Sequence, residues 1–289
     1  MEIKPLSVCL AVCAALLAVC HGVSTGKEFI TTFLPNSMGS NLKGQTLQLV
    51  LTAKCTEANI GIQVASVNFN KQLKLAAGES RWVSLPRGAE LQKQFDTAKS
   101  AVRISSSAAI SVVSFNRRFS TGDGAVVSPL EELGTDYFVY TPKPYRGMDS
   151  LFAIVNGNSE NRISILPKNN VKLKGGKSWQ CGRRENIILA PYASYLVRGQ
   201  STLTGTRIQS QQPVAVLAGH QCLSMGYTCE HVYEQLPAVA KLGKEYLVPT
   251  TSSSKAINTA VIVAVEDNTE LTLHTQKQLS SILIIVIYC

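Results

Sequence analysis

Apolar and polar positions alternate along most of this chain with the two-residue period of half-buried β-strands, and stretches with the 3.6-residue period of a helix are scarce. Leu47–Val64, "LQLVLTAKCTEANIGIQV", reads as two such strands about a polar turn, and Leu151–Ile165 and Ala260–Leu273 repeat the plan. Further on, Ala101–Asn116, "AVRISSSAAISVVSFN", aligns without gaps on Gly205–His220, "GTRIQSQQPVAVLAGH". Each of these reads as a hairpin: an alternating strand, a Ser/Gln/Pro-rich turn, then a Val-rich strand. Pro213 falls where the second strand would begin, a position that tolerates proline. Helical spacing is confined to Glu230–Ala240, which predicts a turn or two of helix carrying Glu230 and Glu234 on one face.

The pattern is an internal repeat. Gly26-Lys-Glu-Phe-Ile-Thr-Thr, Gly134-Thr-Asp-Tyr-Phe-Val-Tyr and Gly243-Lys-Glu-Tyr-Leu-Val-Pro open three similar segments, their glycines 108 and 109 residues apart. Two full units, 26–133 and 134–242, are followed by an incomplete third, 243–289, that ends in a divergent apolar tail. Ile282–Ile287 of that tail is an uncharged, β-prone run, an aggregation hazard if exposed. The missing second half reads as a truncated or alternative product of a longer protein. About seven short strands in about 108 residues predict an all-β fold of tandem immunoglobulin-like β-sandwiches. A β-propeller-like array with two blades per unit is the alternative.

Residues 1–22 place the chain outside the cell. A short n-region with Lys4 precedes the apolar stretch Pro5–Cys20, and small residues follow, the plan of a secretory signal peptide rather than of a membrane span. Its removal takes Cys9, Cys13 and Cys20 and leaves Cys55, Cys181, Cys222, Cys229 and Cys289 in an oxidising compartment, where disulfides are the default. Cys55 and Cys181 are candidates for one bond across the units, and Cys289 is left over. The net charge of +9 is scattered along the chain, with local clumps at Arg117-Arg118 and Lys168–Arg184. A nucleic-acid binder concentrates its cations on one element, so nucleic acid is excluded as a partner.

Catalytic constellations are not assembled. Gly22–Gly26 is G-x-S-x-G around Ser24, but a nucleophile elbow needs a strand before it and a helix after it, and here a signal peptide precedes and a strand follows. No phosphate loop, dinucleotide fingerprint, EF-hand pattern or N-x-S/T sequon occurs. The chain reads as a non-enzyme without a cofactor. The densest chemistry lies in Gly219–Pro237, "GHQCLSMGYTCEHVYEQLP", where His220, Cys222, Cys229 and His231 are spaced H-x-C-x6-C-x-H. They suit either a structural zinc site or a Cys222–Cys229 disulfide. The compartment favours the disulfide, whose short loop contributes roughly 2–3 kcal/mol by chain entropy. A staple there would hold Leu223, Met225 and Tyr227 in a fixed, partly exposed arrangement suited to binding.

"PVAVLAGHQC…CEHVYEQLPAVAKLGKEYLVPT", together with "GKEFITTFLPN", resembles the amino-terminal domain of the IgG Fc-binding protein family, over the mature chain up to about Thr275. Glu230 stands where that family more commonly has aspartate. The resemblance implies a secreted, mucus-associated binding or adhesion domain whose partners are extracellular proteins or glycans, immunoglobulin G Fc or mucins among them. The von Willebrand factor type D modules and G-D-P-H motif of that family are not found here. The alternatives are a structural spacer of a mucus protein and, less in keeping with the residues, a secreted zinc-dependent or other hydrolase.

Overall fold

The computed structural model describes residues 24–36, 44–119, 121–145, 147–225, 228–248, 259–274 and 281–285. The expected signal peptide (1–22), Tyr227 and Cys289 lie outside these. The described residues are all-β, with short 3-10 turns and no α-helix.

Seven strands build the first unit: β1 (Gly26–Thr31), β2 (Gln45–Ala53), β3 (Ala58–Val64), β4 (Phe69–Leu75), β5 (Ser80–Leu85), β6 (Val102–Arg118) and β7 (Thr121–Val126). All pairings among them are antiparallel, and β6 organises them. Its beginning, Val102–Ser106, lies between β3 and β1, while Ile110–Arg118 lies between β2 and β7. One strand therefore runs through two layers, β4-β3-β6-β1 and β5-β2-β6-β7. Between them sits a core to which β2 gives Leu47, Leu49 and Leu51, β3 gives Ile60 and Ile62, β5 gives Val83, and β6 gives Ile104 and Val112. Alternation makes this possible: every second residue of β2 is fully buried, and those between are not.

The second unit repeats the plan with β8 (Gly134–Phe138), β9 (Ser150–Asn156), β10 (Asn161–Leu166), β13 (Glu185–Leu189), β14 (Ser194–Gly199), β15 (Arg207–Met225) and β16 (Thr228–Gln235). A two-stranded insertion, β11 (Val171–Lys172) with β12 (Ser178–Trp179), is added between β10 and β13. Strand β15 does what β6 does: Arg207–Ser210 lies between β10 and β8, and Val214 onward between β9 and β16. The fold is thus a pair of β-sandwiches. Beyond them β17 (Thr259–Val263) and β18 (Ser281–Ile285) pair in parallel. Glu270–Leu273, expected as the partner strand of a hairpin with Ala260, is not a strand.

Two further sequence readings are corrected. Ala101–Asn116 and Gly205–His220 are not hairpins; each Ser- or Gln-rich stretch lies within one continuous strand, where it passes from one layer to the other. Side chains rather than a turn satisfy the backbone there. Asn161 Oδ1 accepts from the amides of Gln211 and Gln212, its Nδ2 donates to the Gln212 carbonyl, Ser106 Oγ accepts from the Ala108 amide, and Ser107 Oγ ties the stretch to β3 by accepting from the Asn59 amide. Glu230–Ala240 is not helical either. It is mostly strand β16, followed by a 3-10 turn at Val239–Lys241. Its buried residues His231, Tyr233 and Gln235 recur with period two, so Glu230 and Glu234 share the opposite side of a strand.

The units are joined by a third core. Ile30, Leu34, Leu91, Ala101, Ala125 and Leu133 of the first meet Leu151, Ala153, Val155, Leu196, Ala215, Leu217 and Tyr233 of the second. The outward face of the β14-β9-β15-β16 layer thus lies against the first sandwich. Strand β9 is buried at all seven positions, matching its unbroken apolar sequence.

Candidate functional site

The stretch Gly219–Pro237 forms the end of the β15–β16 hairpin. His220 pairs with Val232 and Leu223 with Glu230, so a β-bulge admits one extra residue into β15. Gln221 is held there by reciprocal bonds: its amide donates to the Asp149 carbonyl at 3.1 Å, and its Oε1 accepts from the Asp149 amide at 3.1 Å. From within the bulge Cys222 is bonded across the hairpin to Cys229, their Cα atoms 5.1 Å apart. Cys55 and Cys181 each take part in a disulfide as well, so every cysteine among the described residues is oxidised.

Both histidines of the spacing are fully buried and built into backbone contacts. His220 Nδ1 accepts from the Cys222 amide at 3.0 Å, which fixes the tautomer protonated at Nε2. His231 Nδ1 lies 3.1 Å from the His220 carbonyl, to which it donates, leaving Nε2 as an acceptor. Burial lowers both pKa values, that of His231 to about 4, so both rings are neutral at physiological pH. A disulfide sulfur is no thiolate ligand, and the described residues contain no cluster of three or more His, Cys, Asp or Glu side chains arranged to hold a metal.

The free edge of β16 is closed by the first unit. β7 runs beside it in the same direction, and side chains make the bonds that a ladder would otherwise make. The His231 amide donates to Thr121 Oγ1 at 2.6 Å, and the Tyr233 amide donates to Asp123 Oδ2 at 3.0 Å. Glu230 Oε2 accepts from the Gly122 amide at 3.4 Å, and Gln235 Oε1 accepts from the Ser128 amide at 3.3 Å. The Tyr233 hydroxyl, 2.9 Å from Ser114 Oγ, reaches into the first sandwich, and burial raises its pKa. His231 stacks on the Tyr233 ring, centroids 5.3 Å apart.

The hairpin base is therefore an anchor between units. Of the residues expected to form a binding surface, Leu223 is half-buried, and Met225 is the last residue of β15, paired with Thr228. Tyr227 lies outside the described residues. Sequence reasoning missed Thr121 and Asp123, which hold β16 from the other unit. Their signal was faint: two side-chain oxygens in the small-residue run Thr121–Val126. It also missed Asp149, whose buried carboxylate takes Arg198 at 2.8 Å and Lys174 at 3.1 Å beside the bulge.

Fold and site together define an all-β protein of two packed sandwiches that carries a disulfide-closed hairpin on its second unit. The profile of the family described as IgGFc binding protein matches residues 123–283. The human IgGFc-binding protein is 33% identical over 245 residues, which is 83% of this chain and 4% of that protein. The chain belongs to the IgGFc-binding protein family. It spans a small fraction of the human relative's length.

Proposed function

We propose that this chain is a secreted binding domain of mucus, non-enzymatic, whose recognition element is the stapled tip of the β15–β16 hairpin and whose first candidate ligand is the Fc region of immunoglobulin G. The observation that carries the reading is the membership of the family, taken with a matched segment that includes the hairpin. A disulfide at the base of the tip lowers the ordering entropy that Leu223, Met225 and Tyr227 lose on contact. No helix among the described residues is long and apolar enough to cross a membrane. Mucin components are the second class of ligand.

The test is capture from serum and mucus by the mature chain and by a Cys222→Ser, Cys229→Ser double variant. Capture of immunoglobulin Fc or a mucin component by the intact chain, reduced in the variant, is the expected result. An intact, folded chain that retains neither would defeat the proposal. Equal capture by both forms would remove the hairpin tip from it.

A further inference from the structure

The two units carry the same face in opposite states. In the second, Ala153 pairs with Leu196 and Leu217, and Leu217 with Gln235. In the first, by the same register, Val50 pairs with Trp82 and Val113, and Val113 with Val126. The second-unit face is buried against the first unit. On the first-unit face Trp82 is 57% exposed and Val126 43% exposed.

The chemistry of the two faces differs where their burial differs. Leu151, Val155 and Ala215, which pack against protein, are matched in the first unit by Gln48, Thr52 and Ser111. Ser80 and Ser84 stand opposite Thr52 and Gln48 on β5, with Thr52 Oγ1 2.8 Å from Ser80 Oγ and Gln48 Nε2 3.4 Å from Ser84 Oγ. Phe115 lies flat over Gly124, where a Cβ would stand 2.5 Å from its ring. That ring supports the indole of Trp82, centroids 5.0 Å apart. Arg117 stands at one end of this face, and the exposed Arg81, which precedes Trp82 on β5, is paired with Glu79.

We propose that this face, centred on Trp82, is a carbohydrate platform: the indole stacks against the C–H face of a neutral hexopyranose, and Gln48, Thr52, Ser80 and Ser84 bond its hydroxyls. Protein interfaces are depleted in serine, whereas Ser80, Ser84 and Ser111 border the apolar row of this face. An exposed aromatic ring bordered by uncharged hydroxyl and amide groups matches a sugar, which offers aliphatic C–H groups on one face and hydroxyls around its rim. A flat, open platform gives weak affinity for a single sugar, with Kd on the order of 1 mM, and gains strength from clustered glycans. The site is separate from the stapled hairpin and does not depend on the function proposed for it.

The experiment is a titration of the mature chain with galactose, N-acetyllactosamine and sialyllactose, followed by tryptophan fluorescence and ligand-observed nuclear magnetic resonance. Saturable binding of at least one neutral sugar is expected. Trp82→Ala should weaken it by roughly tenfold or more, with an unchanged circular dichroism spectrum, and Trp82→Tyr should recover part of it. The Cys222→Ser, Cys229→Ser variant should bind sugar as the intact chain does. Absence of saturable binding to all three sugars would overturn the proposal, as would equal binding by Trp82→Ala. Self-association of the chain that Trp82→Ala abolishes would also overturn it, by making the face a protein interface.

Discussion

His231 folds as a neutral ring in a site that cannot hydrate its cation, and this couples stability to pH. The unfolded chain takes up this proton near pH 6.5, the folded chain only near 4. Stability is therefore full above pH 6.5 and falls as pH drops toward 4, by roughly 3 kcal/mol at the lower end from this group. The buried carboxyls of Glu90 and Glu234 have raised pKa values and act with the opposite sign, since the folded form takes up their protons more readily. Comparing thermal unfolding of the intact chain and of His231→Gln between pH 7 and 4 isolates the histidine, and the variant should show the smaller loss on acidification. Tyr233→Phe, which removes the hydroxyl's bonds to Ser114 and to the Ala125 backbone, should cost about 1–2 kcal/mol in chemical denaturation at neutral pH. The cysteine pair was legible in the sequence because the expected oxidising compartment and the spacing both point to it. Thr121, 110 residues before the amide it accepts from, was not, because only the tertiary fold brings them together.

At the scale of elements, alternation identified the strands of β2, β3, β9 and β10 and the duplication of the whole plan. It misread β6 and β15, because serine and glutamine in mid-strand resemble a turn when the partners that bond the backbone there are distant in sequence. It misread β16 because residues four apart share a side on a helix and on a strand alike. The equivalent positions of the two units give a direct test of what burial adds. Leu217→Ala, in the core between units, should destabilise the chain by about 2–5 kcal/mol. Val113→Ala, at the matching half-buried position of the first unit, should cost no more than about 1 kcal/mol. Equal losses in urea unfolding would show that the first-unit face is also covered in solution.

In the whole molecule, the core between the units makes the second sandwich dependent on the first. Residues 134–242 alone would expose Leu151, Val155, Leu196 and Leu217 as one apolar face, a surface that drives association. Expressed separately, that segment should bind a hydrophobic dye and sediment as oligomers, and the full chain should unfold in a single transition. A monomeric, dye-silent second unit would contradict this. The face between the units was not anticipated: Leu151–Asn156 was expected as a half-buried strand, although its unbroken apolar run suits burial on both sides, and nothing in the sequence says that the neighbouring unit is what covers it.

The position of β6 and β15 near the end of each unit also sets an order of events during synthesis. The pairs β2–β5 and β3–β4 join segments made earlier, and both can form while the ribosome is still working on the unit. Neither β1 nor a closed core can be placed until the long strand emerges and slides between β2 and β3. Until then each nascent sandwich is two separate ribbons with open edges, the state most prone to pairing with a neighbouring chain. The first unit meets this hazard once, and when it is complete it already offers the surface on which the second will close. Direction of translation and direction of assembly thus coincide, and a stall between residues 189 and 207 would leave the second unit without its connecting strand beside a finished first one.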